Sequence, residues 1–144
     1  AGELIKRALL DKSTNKSVVS PEKNQNVLMD ELLKEDLENK TLFLDGHFCL
    51  INDNKNIINI DKKTYSNLNL NAIILITDNI DNILQRIYKR DNQNYNKELF
   101  TQLQNQEILR ANILSTELNI PLCVFHSNNN SISILYDFID KILG

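Results

Sequence analysis

The chain has 144 residues, 42% hydrophobic and 24% charged, with a net charge of −3. That is enough for one domain, 1–144, with a sizeable core, and it gives no whole-molecule field favouring nucleic acid or an anionic membrane. No apolar run approaches the ~20 residues of a spanning helix, and the amino end has no signal-like pattern. The expectation is therefore a cytoplasmic protein with neither nucleic-acid nor membrane partners.

In chain order, Glu3 to Leu10 carries Leu4, Ala8 and Leu9 at helical spacing, which predicts a short helix. A polar stretch follows from Lys12 to Val19. Ser20-Pro21 is a helix start, with Ser20 as N-cap, and Val27, Leu28, Leu32 and Leu33 continue an apolar stripe to about Leu37. Thr41 to Leu44 is predicted as a short buried strand, interrupted by Asp45 and Gly46. Asn56 to Ile60 is a candidate for another short strand.

Ala72 to Thr77, "AIILIT", is a continuous β-branched run of the kind covered on both faces. Asp78 or Asp81 is placed to cap the next helix, which carries Ile83, Leu84, Ile87 and Tyr88. A polar break from Asp91 to Asn96 leads into a long helix from about Lys97 to Leu118. Ile120 to Phe125 reads as a third buried strand, with Pro121 tolerated at its start, and Asn130 as cap of a last helix through Ile142. Strands separated by helices predict an α/β fold, a parallel sheet with helices on both faces.

Cys49 and Cys123 lie in apolar surroundings and read as small buried hydrophobes, consistent with a reducing compartment. The asparagine-rich patches at Asn52–Asn59, Asn92–Asn96 and Asn128–Asn130 read as compositional bias tolerated in loops and helix faces.

Three strand ends are polar: Asp45-Gly46-His47, Thr77-Asp78, and His126-Ser127-Asn128. In a parallel sheet such ends open onto a common crevice. Arg86 and Arg90 are four residues apart and share a helix face. With the polar break after them they suit a short lid, about 86–96, that closes on a polyanion. Gln106 and Arg110 repeat the spacing on the following helix. An acid at a sheet edge opposite arginine-bearing helices suits phosphoryl transfer, the acid holding Mg²⁺ and the arginines taking the charge on the moving group. Each residue also has an ordinary alternative: Asp45 capping a turn, Arg86 and Arg90 paired with Asp81 or Asp91, Arg110 paired with Glu107.

The segments "LFLDGHFCL", "AIILITDNIDNILQRIYKRD" and "QNQEILRANILSTELNIPL" resemble P-loop nucleoside monophosphate kinases, most of all archaeal-type adenylate kinases and adenylate-kinase-like ATP-binding proteins. Asp45-Gly46-His47 is similar to the family's Asp-x-His, Arg86 and Arg90 to its lid arginines, and Gln106 with Arg110-Ala111 to its Gln-x-x-x-Arg-Ala. Gly2-Glu3 with Lys6 or Arg7 is similar to the segment that holds the acceptor nucleotide. The resemblance implies a three-layer P-loop kinase-like domain and transfer of the ATP γ-phosphate, with Mg²⁺, to a small acceptor such as a nucleoside monophosphate. It assigns the metal to Asp45, catalysis to Arg86, Arg90 and Arg110, and nucleotide or acceptor binding to Gly2, Glu3, Lys6, Arg7, His47 and Gln106.

The three glycines, Gly2, Gly46 and Gly144, leave no place for the family's Gly-x-x-x-x-Gly-Lys-Ser/Thr loop. The family's first strand would lie between Thr41–Leu44 and Ala72–Thr77. Without it, buried strand edges would be unpaired at about 1–3 kcal/mol per group. The expectation is a longer native chain, with about thirty further residues upstream holding the first two strands and the phosphate loop. The alternative is a degenerate kinase fold acting as a non-catalytic nucleotide sensor or protein-binding module.

Overall fold

The computed structural model describes Asp30 and residues 41–144. The helices expected over 3–10 and 20–37 lie outside the described residues. The chain divides into two compact units, 1–46 and 47–144, and each is taken by itself.

In the first unit, residues 41–46 have no regular secondary structure, with Leu42 44% and Phe43 66% exposed. The strand expected over Thr41–Leu44 is therefore corrected. Apolar composition alone does not make a strand, since its N–H and C=O groups need a ladder partner.

The second unit is α/β. A hairpin of β1 (Cys49–Ile51) and β2 (Ile57–Asn59) is antiparallel, with Cys49 opposite Asn59. Its connection is held by Asn52, whose side-chain oxygen accepts from the Asn56 N–H at 2.8 Å. Helix α1 (Lys62–Asn67) follows, then β3 (Ile73–Thr77), α2 (Ile80–Asp91), α3 (Lys97–Leu118), β4 (Leu122–His126) and α4 (Ile132–Leu143). β3 and β4 pair in parallel, Ile73 opposite Leu122 through Thr77 opposite His126. The run thus forms the strand its composition predicts, though not one covered on both faces, since Ile76 is 63% exposed; α3 has the bounds its pattern predicts.

Asparagine does much of the helix punctuation. Asn79 and Asn96 are N-caps, the latter accepting from the N–H groups of Glu98 and Leu99. Asn92 and Asn119 end α2 and α3 in the left-handed conformation, at φ 52°, which asparagine tolerates better than most side chains. The cap of α2 is thus Asn79 rather than Asp78 or Asp81, and that of α4 is Ser131 rather than Asn130. Asn130 instead accepts from the His126 N–H at 2.7 Å.

Alternation along β3 and β4 sends two sets of side chains to two faces. Ile73, Leu75, Leu122 and Val124 pack with Tyr65 and with Ala111 and Leu114 of α3, the last two fully buried. Cys123 and Phe125 are buried on the other face, and α4 packs on β4. α2 turns Ile80, Ile83, Leu84 and Ile87 inward and packs on α3, leaving Arg86 and Arg90 exposed. Among the described residues no helix is long and apolar enough to cross a membrane.

Candidate functional site

The carboxyl ends of β3 and β4 are joined by more than their ladder. The Thr77 hydroxyl is hydrogen-bonded to Nδ1 of His126, and the Ser127 N–H donates to the Thr77 carbonyl at 2.9 Å. Immediately after Thr77 comes Asp78, whose side chain is only 7% exposed. A carboxylate so placed needs donors, and it has three: the Asn79 N–H at 2.7 Å, the Asn82 amide at 3.1 Å, and Arg86 Nη1 at 2.6 Å. The Arg86 guanidinium, followed by the Asn82 amide, holds the Asp78 carboxyl down to about 2 against the opposing effect of burial, with the Asn79 N–H adding a lesser contribution.

The Asp78 main chain is fixed as well. Its N–H donates to the Gln104 side-chain oxygen at 3.2 Å, and its carbonyl accepts from the Gln104 amide at 3.0 Å. One α3 side chain thereby clamps the junction between β3 and α2.

Arg86 and Arg90 stand one turn apart on α2, their side chains 63% and 75% exposed. Arg90 bonds its neighbour Asp91 through Nε at 2.6 Å and Nη2 at 2.7 Å. That pairing lowers the Asp91 carboxyl and raises the Arg90 guanidinium. Of the ordinary alternatives, Arg90 with Asp91 is the one adopted, whereas Arg86 takes Asp78 instead of Asp81. Asp81 meets Lys97 of α3 at 2.7 Å.

The remaining described candidates lie around a different face of α3. Glu107 accepts from the backbone N–H of Phe48 and of Cys49, both at 3.0 Å, and His47 Nδ1 stands 3.9 Å away. The Gln106 amide donates to the Asn59 side chain at 3.2 Å, and Arg110 Nη2 to the Ile60 carbonyl at 3.1 Å. Arg110 Nε is buried without a hydrogen-bond partner among the described residues. Gln106 also lines an open groove of ≈ 510 Å³ with Ile57, Gln102, Asn105 and Leu109. That lining carries no charge, so it offers a polyanion nothing stronger than amides.

Cys49 is buried, and burial, then the nearby Glu107 charge, push its thiol up to about 11. It is a neutral core residue, as its surroundings predict. Burial raises the Cys123 thiol too.

The structure thus brings Arg86 to Asp78, and His47, Gln106 and Arg110 to the β1–β2 side of α3. Among the described residues no hydrogen bond or ion pair joins the two groups. Asp45 is an exposed residue of the first unit, while Gly2, Glu3, Lys6 and Arg7 lie outside the described residues. Sequence reasoning places Asp78 at a crevice-facing strand end without giving it a role, and does not single out Gln104. Asp78 also reads from sequence as a candidate cap, and its pairing with Arg86 is not among the partners weighed there.

The model of a protein family described as AAA domain matches residues 2–104. The chain belongs to the AAA domain family. This is a P-loop NTPase-like, nucleotide-binding family also found in kinases, and the α/β sheet of this AAA domain agrees with a P-loop kinase-like fold. The matched span includes Asp45, His47, Asp78, Arg86, Arg90 and Gln104, whereas Gln106 and Arg110 lie beyond it. No curated protein matches the chain.

The donor set fits Mg²⁺ in one respect. Mg²⁺ keeps most of its water and is commonly held by one or two carboxylates together with substrate phosphates, a demand that the exposed Asp45 carboxylate can meet. Among the described residues there is no group of three or more His, Cys, Asp or Glu side chains for an all-protein site.

Proposed function

We propose that this AAA domain is a nucleotide-kinase-type phosphotransferase that moves the γ-phosphate of ATP to a small acceptor, a nucleoside monophosphate in the first instance. One observation carries the reading: two exposed arginines one turn apart on α2, just before the polar connection of residues 92–96, on a helix that starts at the carboxyl end of a parallel strand. Ligands of open α/β sheets bind beyond strand carboxyl ends. Phosphoryl transfer asks the protein mainly for position and positive charge.

In this reading Arg86 and Arg90 neutralise the transferring group, and Arg110 assists from α3. Asp45 would hold Mg²⁺ through water, and the ion when bound would offset phosphate charge. His47 and Gln106, with Gly2, Glu3, Lys6 and Arg7, border the nucleotides. The arginine–carboxylate pairs present no obstacle: Arg90–Asp91 is largely exposed, a kind of pair that contributes only about 0–1 kcal/mol, and Arg86 spends one nitrogen on Asp78, which leaves its other donors for a phosphate.

A second reading, a non-catalytic sensor or protein-binding module, is favoured by those same pairs, since both guanidinium groups already have a carboxylate. Transfer of labelled γ-phosphate from Mg·ATP, followed across a panel of nucleoside monophosphates with the full native chain, separates the two. The kinase reading expects acceptor- and Mg²⁺-dependent label transfer. ATP binding without transfer to any acceptor would leave the sensor.

A further inference from the structure

We propose that Asp78 is a positioning residue for Arg86: anchored by Gln104, it fixes the arginine so that the free part of its guanidinium faces an incoming polyphosphate. The inference rests on the phosphotransferase reading and adds to it a residue that touches no substrate.

Arg86 spends one donor nitrogen, Nη1, on Asp78 Oδ2 at 2.6 Å. A guanidinium carries five N–H donors in a rigid plane, so one fixed nitrogen restricts the orientation of the rest. The side chain remains 63% exposed, and Asp78 is its one hydrogen-bond partner among the described residues. The remaining donors are therefore open to a ligand while the plane is held. A free arginine loses up to about 2 kcal/mol of rotamer freedom when immobilised, so an anchor set before binding removes part of that loss.

The anchor is itself hydrogen-bonded through side chain and main chain. The Asp78 carboxylate accepts from Asn79 and Asn82, and its peptide is clamped on both sides by the Gln104 amide. Gln104 belongs to α3, which is seated on the sheet by the buried Ala111 and Leu114. The chain of contact therefore runs from the core, through Gln104 and Asp78, to the arginine. Were Asp78 only a structural cap, neither the charged partner nor the two-sided clamp would be needed. Asn79 already caps α2.

The test uses the full native chain and three variants, Asp78→Asn, Arg86→Ala and the double variant. Tripolyphosphate is the binding probe, and arginine side-chain ¹⁵N NMR the second readout, with the Arg86 signal assigned by its loss in Arg86→Ala. The wild type should show slowed rotation at Arg86, lost in Asp78→Asn. Each single variant should weaken tripolyphosphate binding about tenfold, and the double variant no further than Arg86→Ala, because with the guanidinium gone there is no orientation left for Asp78 to set. In turnover kcat/KM for ATP should fall by at least a similar factor in each single variant, because the held arginine meets the polyphosphate from the bound state onward.

A freely rotating Arg86 in the wild type overturns the proposal. So does a further tenfold loss when Asp78→Asn is added to Arg86→Ala, or unchanged binding in Asp78→Asn. Absence of turnover in the wild type would overturn the kinase reading alone, since the NMR signal and the tripolyphosphate cycle decide the anchor without it.

Discussion

Two carboxylates on the second unit, Asp78 and Glu107, are both largely buried and both hydrogen-bonded, and their partners differ in kind. Glu107, 13% exposed in its side chain, accepts from two backbone N–H groups and fastens the β1–β2 hairpin to α3. Asp78 accepts from one backbone N–H, one amide and a guanidinium whose other donors reach solvent. Backbone partners cannot leave, so Glu107 serves the fold. An exposed arginine can add a ligand to its contacts, so Asp78 serves the site.

Variants sharpen that contrast. The largest loss of stability belongs to the core under both carboxylates: Leu114→Ala, at a fully buried position, should cost about 2–5 kcal/mol, read by denaturant unfolding. Glu107→Ala orphans two N–H groups and should cost about 2–4 kcal/mol, with Glu107→Gln recovering part of it. If Glu107→Ala unfolds like the wild type, Glu107 is no staple and the contrast fails. Tyr65→Phe removes a hydroxyl that donates to the His47 carbonyl at 2.7 Å, and should cost about 1 kcal/mol.

The Asp78 side of the comparison is open to pH. Its carboxyl ionises at about 2 in the folded protein against about 3.9 unfolded. The depressed value means that its stabilisation is present above pH ~4 and lost as pH falls toward 2. The thermal midpoint of the wild type should exceed that of Asp78→Asn by a constant margin above pH ~4, and the two should converge toward pH 2. A margin unchanged down to pH 2 would contradict the ion pair with Arg86.

Much of this fold is legible in the sequence, because its signals are local. The run Ile73–Thr77 is β-branched, and the break before Lys97 ends in an asparagine that caps α3. What escapes is set by distant partners. β1 is three residues long and depends on β2 and on Glu107, whose bond to the Cys49 N–H spans 58 positions. Thr41–Leu44 has a strand's composition and no regular structure. Of the site, the exposed arginine pair on α2 follows from its spacing. The Gln104 clamp on Asp78 spans 26 positions, and nothing local signals it.

The claim on which the rest depends is that the exposed arginines of α2 act on substrate, Arg90 while doing little for the fold. The most direct measurement is turnover of Mg·ATP by Arg86→Ala and Arg90→Ala, set beside their unfolding midpoints. The proposal expects each to lose at least about tenfold in kcat/KM, or 1.4 kcal/mol of transition-state stabilisation, with the unfolding free energy of Arg90→Ala, whose pair with Asp91 is largely exposed, changed by less than about 1 kcal/mol; Arg86→Ala also strips the buried Asp78 of its charged partner and loses stability on that account. Full turnover in both variants, or stability of Arg90→Ala falling in step with its activity, would contradict it.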